Sequence, residues 1–193
     1  MVNPSDDPIE LTPSRYETWR TRFEDERERV IDAIKTNGLG DHIERVEHVG
    51  STAVPELPAK DVVDTDIVVA DEAVTVISEV LEAGLGGTRL ENTAGWHPLF
   101  RVHDGQRFND HVFAASSHKW KVSVVTREVL CSRPELRQEY ERLKRELAHE
   151  HDDLTAYSRG KTAFIDRMLR VGRDAEDLAF DFTVPIDAPT EQA

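Results

Sequence analysis

The sequence predicts an α/β protein in which a small β-sheet is flanked by helices from both ends of the chain. Apolar residues recur at helical spacing between Tyr16 and Ile34, with charged residues between them, which is typical of a helix that packs one face on a core. Residues 61–69 are rich in β-branched residues and have the length of a buried strand. Helical spacing returns in residues 134–151, so helices are expected on both sides of the strands.

The first helix is expected to follow a polar tether. Residues 1–11 are polar and contain prolines, so we expect them to lie on the surface. Thr12 is expected to cap the helix and Pro13 to occupy its first turn, because both residue types favour a helix start. Asn37 and Gly38 should end it.

The central part of the chain is expected to form strands joined by short turns. Residues 43–49 predict a strand that leads into a tight turn at Gly50 and Ser51, and residues 54–58 predict a loop because they hold two prolines. Asp104-Gly105 is a favoured hairpin turn between the strands 99–103 and 108–114.

Helices are expected after the strand 61–69 and in the last third of the chain. Asp71 is expected to cap a helix that is ended by Gly84, Gly86 and Gly87. Residues 119–131 are ambiguous, because their β-branched residues favour a strand. Residues 134–151 and 154–171 predict two further helices, and an acidic tail that contains proline is expected from Phe180 onward.

Two carboxylates stand out in the strand 61–69. Asp64 and Asp66 are two residues apart, so their side chains project from the same face of the strand. The two carboxylates repel each other unless they share a divalent cation. The turn at Gly50 and Ser51, thirteen residues before Asp64 when counted from Ser51, can bring backbone N–H groups and a hydroxyl close to a phosphate. Together these features are typical of metal-dependent phosphoryl or nucleotidyl transfer.

The same residues resemble a known family. Residues 47–55 (Glu-His-Val-Gly-Ser-Thr-Ala-Val-Pro), followed by Ala59-Lys60 and residues 63–69 (Val-Asp-Thr-Asp-Ile-Val-Val), are similar to the GrpB family of the nucleotidyltransferase-like superfamily. The resemblance extends over about residues 12–170. It implies a nucleotidyltransferase-like mixed β-sheet in one domain, residues 12–171, with a helical part at 119–171 and an acidic tail at 172–193. It also favours a helix for residues 119–131.

The resemblance implies roles for named residues. Asp64 and Asp66 would be catalytic and would hold Mg²⁺ or Mn²⁺, and His111 would assist as a base, a metal ligand or a phosphate donor. The residues implied in binding the nucleotide and its phosphates are Gly50, Ser51, Thr52, Lys60, Asn109 and Lys161.

Full nucleotidyltransferases usually carry a third carboxylate, and the sequence does not assign this role to a single residue. On the strand 108–114, Asn109 and His111 share one face, whereas Asp110 lies on the other. His111 is therefore the first candidate, and Asp110 would reach the site only through a slip or bulge of the strand.

The other polar residues near these motifs allow more than one interpretation. His48 either orients the turn or bonds to backbone within the core. Lys121 and Arg127 bring positive charge near the site or are ordinary exposed bases. The chain departs from the family pattern at Glu56, where glycine is common, at Asp61 and at Asp110.

Composition limits the classes of partner. The 193 residues carry 38 acidic and 24 basic side chains, of which 6 are lysine and 18 arginine, for a net charge of −14. This balance favours a halophile's protein over a mildly acidic mesophile protein, and makes nonspecific nucleic-acid binding unfavourable. The sole cysteine, Cys131, excludes an internal disulfide and a cysteine-rich zinc site. No apolar run has the length of a membrane span, so a cytoplasmic location is expected.

These inferences predict a magnesium-dependent enzyme that transfers a nucleoside monophosphate from a nucleoside triphosphate to an unknown acceptor. The alternative is a noncatalytic nucleotide-binding, regulatory or interaction module on the same fold.

Overall fold

The described residues form a mixed β-sheet between two layers of helices. The structure is a computed structural model, and it describes residues 9–90, 93 and 95–186. The strands are β1 (Ile43–Val49), β2 (Val62–Val69), β3 (Thr88–Arg89), β4 (Trp96–His103) and β5 (Gln106–Ala114). The helices are α1 (Tyr16–Thr36), α2 (Val74–Leu85), α3 (Lys119–Ser132), α4 (Pro134–Glu150), α5 (Leu154–Gly160) and α6 (Thr162–Asp174). The expected α/β class, with an N-terminal helix and C-terminal helices around a mixed sheet, is confirmed.

The strand order places β2 and β5 side by side near the middle of the sheet. The order is β1-β2-β5-β4-β3. Strands β2 and β5 run parallel, and the other neighbouring pairs are antiparallel. The β4–β5 hairpin turns through Asp104 and Gly105, which both have positive φ (48° and 75°), as expected for an Asp-Gly turn.

The two faces of the sheet have different coverings. Helices α1 and α2 cover one face, where the apolar core contains Val30, Ile34, Ile67, Ile77, Leu81 and Val112. Helix α3 covers the other face through Trp120 and Val124, which pack on Val49, Val68 and Phe113. Asp64 and Asp66 project toward this second face, because they alternate with Ile67 along β2. No helix within the described residues is long and apolar enough to cross a membrane.

Thr12 does not cap the first helix, so that expectation is wrong. Helix α1 begins at Tyr16 with Arg15 at its cap position. Thr12 instead pairs with Ala59: its backbone N donates to Ala59 O (2.8 Å), and Ala59 N donates to Thr12 O (3.1 Å). The Thr12 hydroxyl also donates to Ala59 O (3.0 Å), so this side chain is not available to cap a helix. Residues 1–8 of the expected tether lie outside the described residues.

Asp71 does not cap the second helix either. A short 3-10 turn, Asp71–Ala73, precedes α2, and the Asp71 carboxylate accepts a hydrogen bond from the backbone N of Ser116 (3.0 Å). Helix α2 includes Gly84 and ends at Leu85, and Gly86, one of the three glycines expected to end it, occupies the C-cap with a φ of 75° that suits glycine.

The C-terminal region differs from the expectation in two places. The helix expected over residues 154–171 is two helices, α5 and α6, separated at Lys161. The expected loose tail is partly packed, because α6 runs to Asp174 and Phe180 and Phe182 lie against the core. Residues 187–193 lie outside the described residues. Residues 119–132 do form a helix, as the family resemblance predicted against the local β-branched composition.

Candidate active site

The two carboxylates of β2 lie side by side next to β5. Asp64 is paired in register with Asn109, and Asp66 with His111. The Asn109 amide donates to Asp64 Oδ1 (3.0 Å), which fixes that carboxylate. Asp66 is buried, and its Oδ2 has no hydrogen-bond partner among the described residues. Burial raises the pKa of both carboxyls, and for Asp66 the rise is large.

The Gly50 turn is built directly against Asp64. Gly50 has φ 70° and ψ −169°, a backbone conformation that is nearly restricted to glycine. A Cβ on Gly50 would lie 3.1 Å from Asp64 Cγ and closer still to Oδ2. Glycine is therefore required twice here, for the conformation and for the space. The turn and the carboxylate pair form one structural unit.

His48 orients the turn through a side chain. Its Nε2 lies 3.1 Å from the hydroxyl of buried Thr52, and its ring stacks on Phe23 with centroids 4.8 Å apart. Burial, together with the charge of Arg127, lowers the pKa of His48 to about 3, so the imidazole is neutral. Of the two interpretations of His48, orientation of the turn is the one that these contacts support.

Three of the lysines that line the same cavity as the Gly50-Ser51 turn are Lys60, Lys144 and Lys161. Lys144 is almost fully buried; its ammonium donates to Ser51 Oγ (3.1 Å) and to the backbone O of Pro58. Burial, with the charge of Lys161 nearby, lowers the pKa of Lys144 to about 7. Burial and the charge of Lys60 likewise lower the pKa of Lys161 to about 8. The pKa of Lys60 is also lowered by burial, against the attraction of Asp64.

His111 presents a hydrogen-bond donor to the site. The indole N–H of Trp96 donates to His111 Nδ1 (3.2 Å), and an indole can only donate. Neutral His111 therefore carries its proton on Nε2. Burial, with the charge of Lys119, lowers the pKa of His111 to about 4, which keeps the ring neutral. This arrangement supports a donor role for His111 toward a ligand, and is unfavourable for a base or a metal ligand acting through Nε2.

Asp110 lies on the opposite face of the sheet. It accepts from Arg101 Nε (2.8 Å), and Arg101 also pairs with buried Glu26. Glu26 in turn lies 2.5 Å from Arg29. β5 shows regular register with β2 through this region, so the slip that would bring Asp110 into the site does not occur. This placement contradicts the alternative in which Asp110 supplies the third carboxylate.

Glu56 and Asp61, the two other residues that depart from the family pattern, each form an ion pair with an arginine that does not line the cavity. Glu56 has φ 63°, which explains why glycine is common there, and its carboxylate pairs with Arg137 (2.6 Å). Asp61 pairs with Arg15 and accepts from the Trp19 indole (2.8 Å).

Of the two other basic residues considered for the site, Arg127 lines the cavity and Lys121 does not. Arg127 lines the site but bonds to Glu47 (2.9 Å) and to the backbone O of His48 (2.7 Å), so it supports the strand before the turn. Lys121 lies over the Trp120 ring and is not a lining residue of the cavity.

One cavity of about 500 Å³ brings the candidate residues together. All nine residues expected at the site line it, which are Gly50, Ser51, Thr52, Lys60, Asp64, Asp66, Asn109, His111 and Lys161. A volume of this size is within the range of small-molecule sites. Cys131 is an exposed residue and is not among the lining residues of the cavity.

The carboxylate pair fits a divalent cation that shares its ligands with a phosphate. The described residues contain no group of three or more His, Cys, Asp or Glu side chains arranged for a metal. Magnesium, however, is commonly held by one or two carboxylates together with substrate phosphates and water. Such a cation would give Asp66 Oδ2 the partner that it lacks. It would also offset the cost of burying two carboxylates, which raises the pKa of both.

Sequence reasoning missed Lys144 and Trp96. Lys144 lies four residues after Tyr140 and three before Leu147, both buried, so it interrupts an apolar helical stripe. A lysine in such a stripe is a signal that could have been used. The bond from Trp96 to His111 depends on the β4–β5 register, which the sequence does not specify in enough detail.

Comparison with a solved structure and with known sequences places the chain in a family. The fold matches the crystal structure of conserved protein GrpB from Enterococcus faecalis with a TM-score of 0.71 and 25% identity, over 84% of this chain and 96% of that one. Among sequences, the chain is 32% identical over 154 residues to a UPF0157 protein of Deinococcus radiodurans (79% of this chain, 76% of the relative). It is 33% identical over 163 residues to a UPF0157 protein of Streptomyces coelicolor (81% of each). The GrpB protein family profile matches residues 8–171. The chain belongs to the GrpB family.

Proposed function

We propose that the protein is a metal-dependent nucleotidyltransferase that moves a nucleoside monophosphate from a nucleoside triphosphate to an acceptor. The observation that carries this proposal is the packing of the Gly50 turn against Asp64. It joins a turn suited to phosphate and a carboxylate pair suited to a divalent cation at one point of one cavity.

Each residue of the site has a role in this proposal. Asp64 and Asp66 would hold magnesium or manganese, which when bound neutralises charge on the phosphates and polarises the bond to be broken. Asn109 keeps Asp64 in place. Ser51 and the lysines around it would bind the phosphates, and His111 would donate from Nε2.

In the transfer, an acceptor oxygen forms a bond to the α-phosphorus. The bond from that phosphorus to the oxygen bridging to the β-phosphate breaks, and pyrophosphate leaves with that oxygen. The acceptor's proton passes to water. In the described part of the site, the two lining carboxylates are assigned to the cation, and His111 already carries a proton on the nitrogen that faces the ligand, Nε2.

A noncatalytic nucleotide-binding module is the second candidate. The position of Asp110 favours it, since the carboxylate next to the site on β5 is buried on the other face with Arg101. A protein that kept the phosphate turn and the metal pair, without a group to activate the acceptor, would bind a nucleotide and not turn it over.

Release of pyrophosphate distinguishes the two candidates. The wild type and an Asp64→Asn/Asp66→Asn variant are incubated with each nucleoside triphosphate, a panel of hydroxyl acceptors and Mg²⁺ or Mn²⁺ in molar potassium chloride. Release that needs the metal and is lost in the variant supports the transferase. Metal-dependent binding without release supports the module, and absence of binding by folded wild type contradicts both.

A further inference from the structure

The cavity has an apolar end to which the proposed function assigns no role. Strand pairing places Pro98 of β4 beside His111 of β5, and Phe100 beside Asn109. His111 and Asn109 are in turn beside the two carboxylates of β2. Directly paired residues project from the same face of a sheet, and these side chains all line the cavity. The apolar end is therefore continuous with the candidate site.

The Phe100 ring faces the cavity instead of a packed core. On the same face of the sheet, Trp96 and Phe113 pack in one cluster with Trp120 of α3. Phe100 is 7% exposed, yet none of the apolar core clusters among the described residues includes it. A buried aromatic ring that lines a cavity in this way offers its surface to a ligand.

Leu90 extends this apolar surface to the rim of the cavity. Its backbone N donates to Pro98 O (2.9 Å), so Leu90 continues the pairing of β3 with β4 and lies beside Pro98. It lines the cavity and is 43% exposed. A ligand that rests on Phe100 and Pro98 would also cover Leu90 and remove its apolar surface from water.

The apolar end and the phosphate turn lie on opposite sides of the carboxylate pair. Val49, which leads into Gly50, pairs with Asp64 from the β1 side of β2, whereas β5 and then β4 follow on the other side. Adjacent strands are about 4.8 Å apart, so β4 lies about 10 Å from β2. One sugar or a short linker spans this distance from a phosphorus atom held at the carboxylates. A group bonded to that phosphorus, or about to be bonded to it, can reach the apolar end while the other phosphates reach the turn.

The charge at this end disfavours a cationic ligand. The Lys119 ammonium lies 4.0 Å from the centre of the Trp96 ring, and Phe100, Pro98 and Leu90 carry no charge. His111, between the apolar end and the carboxylates, presents its Nε2–H, as its bond from Trp96 requires. A neutral ring with a hydrogen-bond acceptor near it matches both features.

We propose that Phe100, Pro98 and Leu90 form a subsite for a neutral planar ring, which is either the nucleobase of the triphosphate or an aromatic ring of the acceptor. This inference rests on the proposed function for what the ring is attached to, and on the geometry of the cavity for the ring itself. The ring stacks on Phe100 and covers Leu90, and His111 donates to an acceptor atom beside it. The subsite thus assigns an aromatic class to one of the two substrates.

The test measures Kd for probes that differ in the ring, with the full chain. Calorimetry compares each nucleoside triphosphate with inorganic tripolyphosphate, both with Mg²⁺, because these differ by the nucleoside. Saturation-transfer NMR compares 2-phenylethanol with 2-cyclohexylethanol, because these alcohols differ in the planarity of the ring.

The variants are Phe100→Leu and Leu90→Asn, with Val102→Asn as the matched control. Val102 lies on the same face of β4, is 53% exposed and does not line the cavity. We expect the Kd of the ring-bearing probe to rise about three- to tenfold in Phe100→Leu and about threefold or more in Leu90→Asn, and to change less than about twofold in the control. If Phe100→Leu fails to fold, Leu90→Asn carries the test, because its side chain is exposed.

Two outcomes support the subsite and identify the source of the ring. Weaker binding of triphosphates, with tripolyphosphate unchanged, makes the ring the nucleobase. Weaker binding of 2-phenylethanol, with triphosphate binding unchanged, makes it a ring of the acceptor.

The remaining outcomes separate this inference from the proposed function. Metal-dependent triphosphate binding that neither variant changes, without preference for 2-phenylethanol over 2-cyclohexylethanol, would overturn the subsite and leave the transferase standing. Binding of 2-phenylethanol that depends on Phe100 and Leu90, without triphosphate binding, would support the subsite and overturn the transferase. Equal weakening in the Val102→Asn control would overturn the subsite, because the effect would not come from the cavity.

Discussion

Replacing Gly50 with alanine tests whether the turn and the carboxylate pair are one unit. The change introduces two costs, which are a side chain at φ 70° and a Cβ that would overlap Asp64. Gly86 provides the matched control, because it has nearly the same backbone conformation (φ 75°, ψ −174°) and nothing within 4 Å of an added Cβ. The difference between the two variants therefore isolates the contact with Asp64.

The expected magnitudes follow from these two contributions. A non-glycine residue in this region costs about 1–3 kcal/mol, and this cost applies to both variants. In Gly50→Ala, the Asp64 carboxylate must also move away and lose its hydrogen bond from Asn109, which adds about 1.5–3 kcal/mol for a charged acceptor. For a chain of this length that addition lowers Tm by about 3–12 °C beyond the control.

The assay is denaturation of Gly50→Ala and Gly86→Ala, each alone and combined with Asp64→Ala. The extra destabilisation of Gly50→Ala should disappear in the Asp64→Ala background, because the overlapping atoms are gone. The Gly86→Ala effect should be the same in both backgrounds. Equal losses for the two glycine variants, with no dependence on Asp64, would refute the contact between the turn and the carboxylate.

Three further predictions concern the neighbouring charged groups. Asp110→Asn should lower the free energy of unfolding by about 3 kcal/mol in urea, because it leaves Arg101 short of a buried partner, while the Mg²⁺-dependent affinity of the folded protein for triphosphates stays as in wild type; a parallel loss of affinity would place Asp110 at the site after all. The imidazole of His111, whose pKa burial lowers to about 4, should remain the neutral Nε2–H tautomer from pH 5.5 to 8 in nitrogen NMR spectra, and titration near pH 6.5 would contradict this. Because burial lowers the pKa of Lys144 from 10.5 to about 7, the unfolded chain binds more protons there than the folded one between these values, so wild-type stability should rise from pH 7 to pH 10 relative to Lys144→Met; parallel stability curves would show that Lys144 titrates normally.

Much of the site could be predicted from the sequence because it depends on local spacing. Asp64 and Asp66 share a face through strand alternation alone, and the same rule places Asn109 and His111 together and Asp110 on the other side. Gly50 could be assigned to a tight turn from its residue type. The family resemblance supplied what local composition did not, which was the helix at residues 119–132.

The parts that could not be predicted depend on contacts between distant segments. Thr12 has the residue type of a helix cap, but pairing with Ala59, 47 positions away, takes its hydrogen bonds. The break at Lys161 follows Gly160, where a Cβ would lie 2.9 Å from Leu147 Cδ1 and closer still to Cδ2, so a side chain there would require Leu147 of α4 to move. The proximity of Lys144 to Ser51 likewise arises only when α4 docks near the turn.

Metal-dependent nucleotide binding is the most direct test of the central claim that Asp64 and Asp66 hold a cation against the phosphates. Calorimetry would measure the binding of each nucleoside triphosphate with and without Mg²⁺, for wild type and for Asp64→Asn/Asp66→Asn. Asparagine keeps the shape of both side chains, and Asp66 is already held toward its neutral form by burial, so circular dichroism should show an unchanged fold. We expect binding that requires Mg²⁺ in wild type and is lost in the variant. Equal binding by both proteins, or none by folded wild type, would contradict the claim.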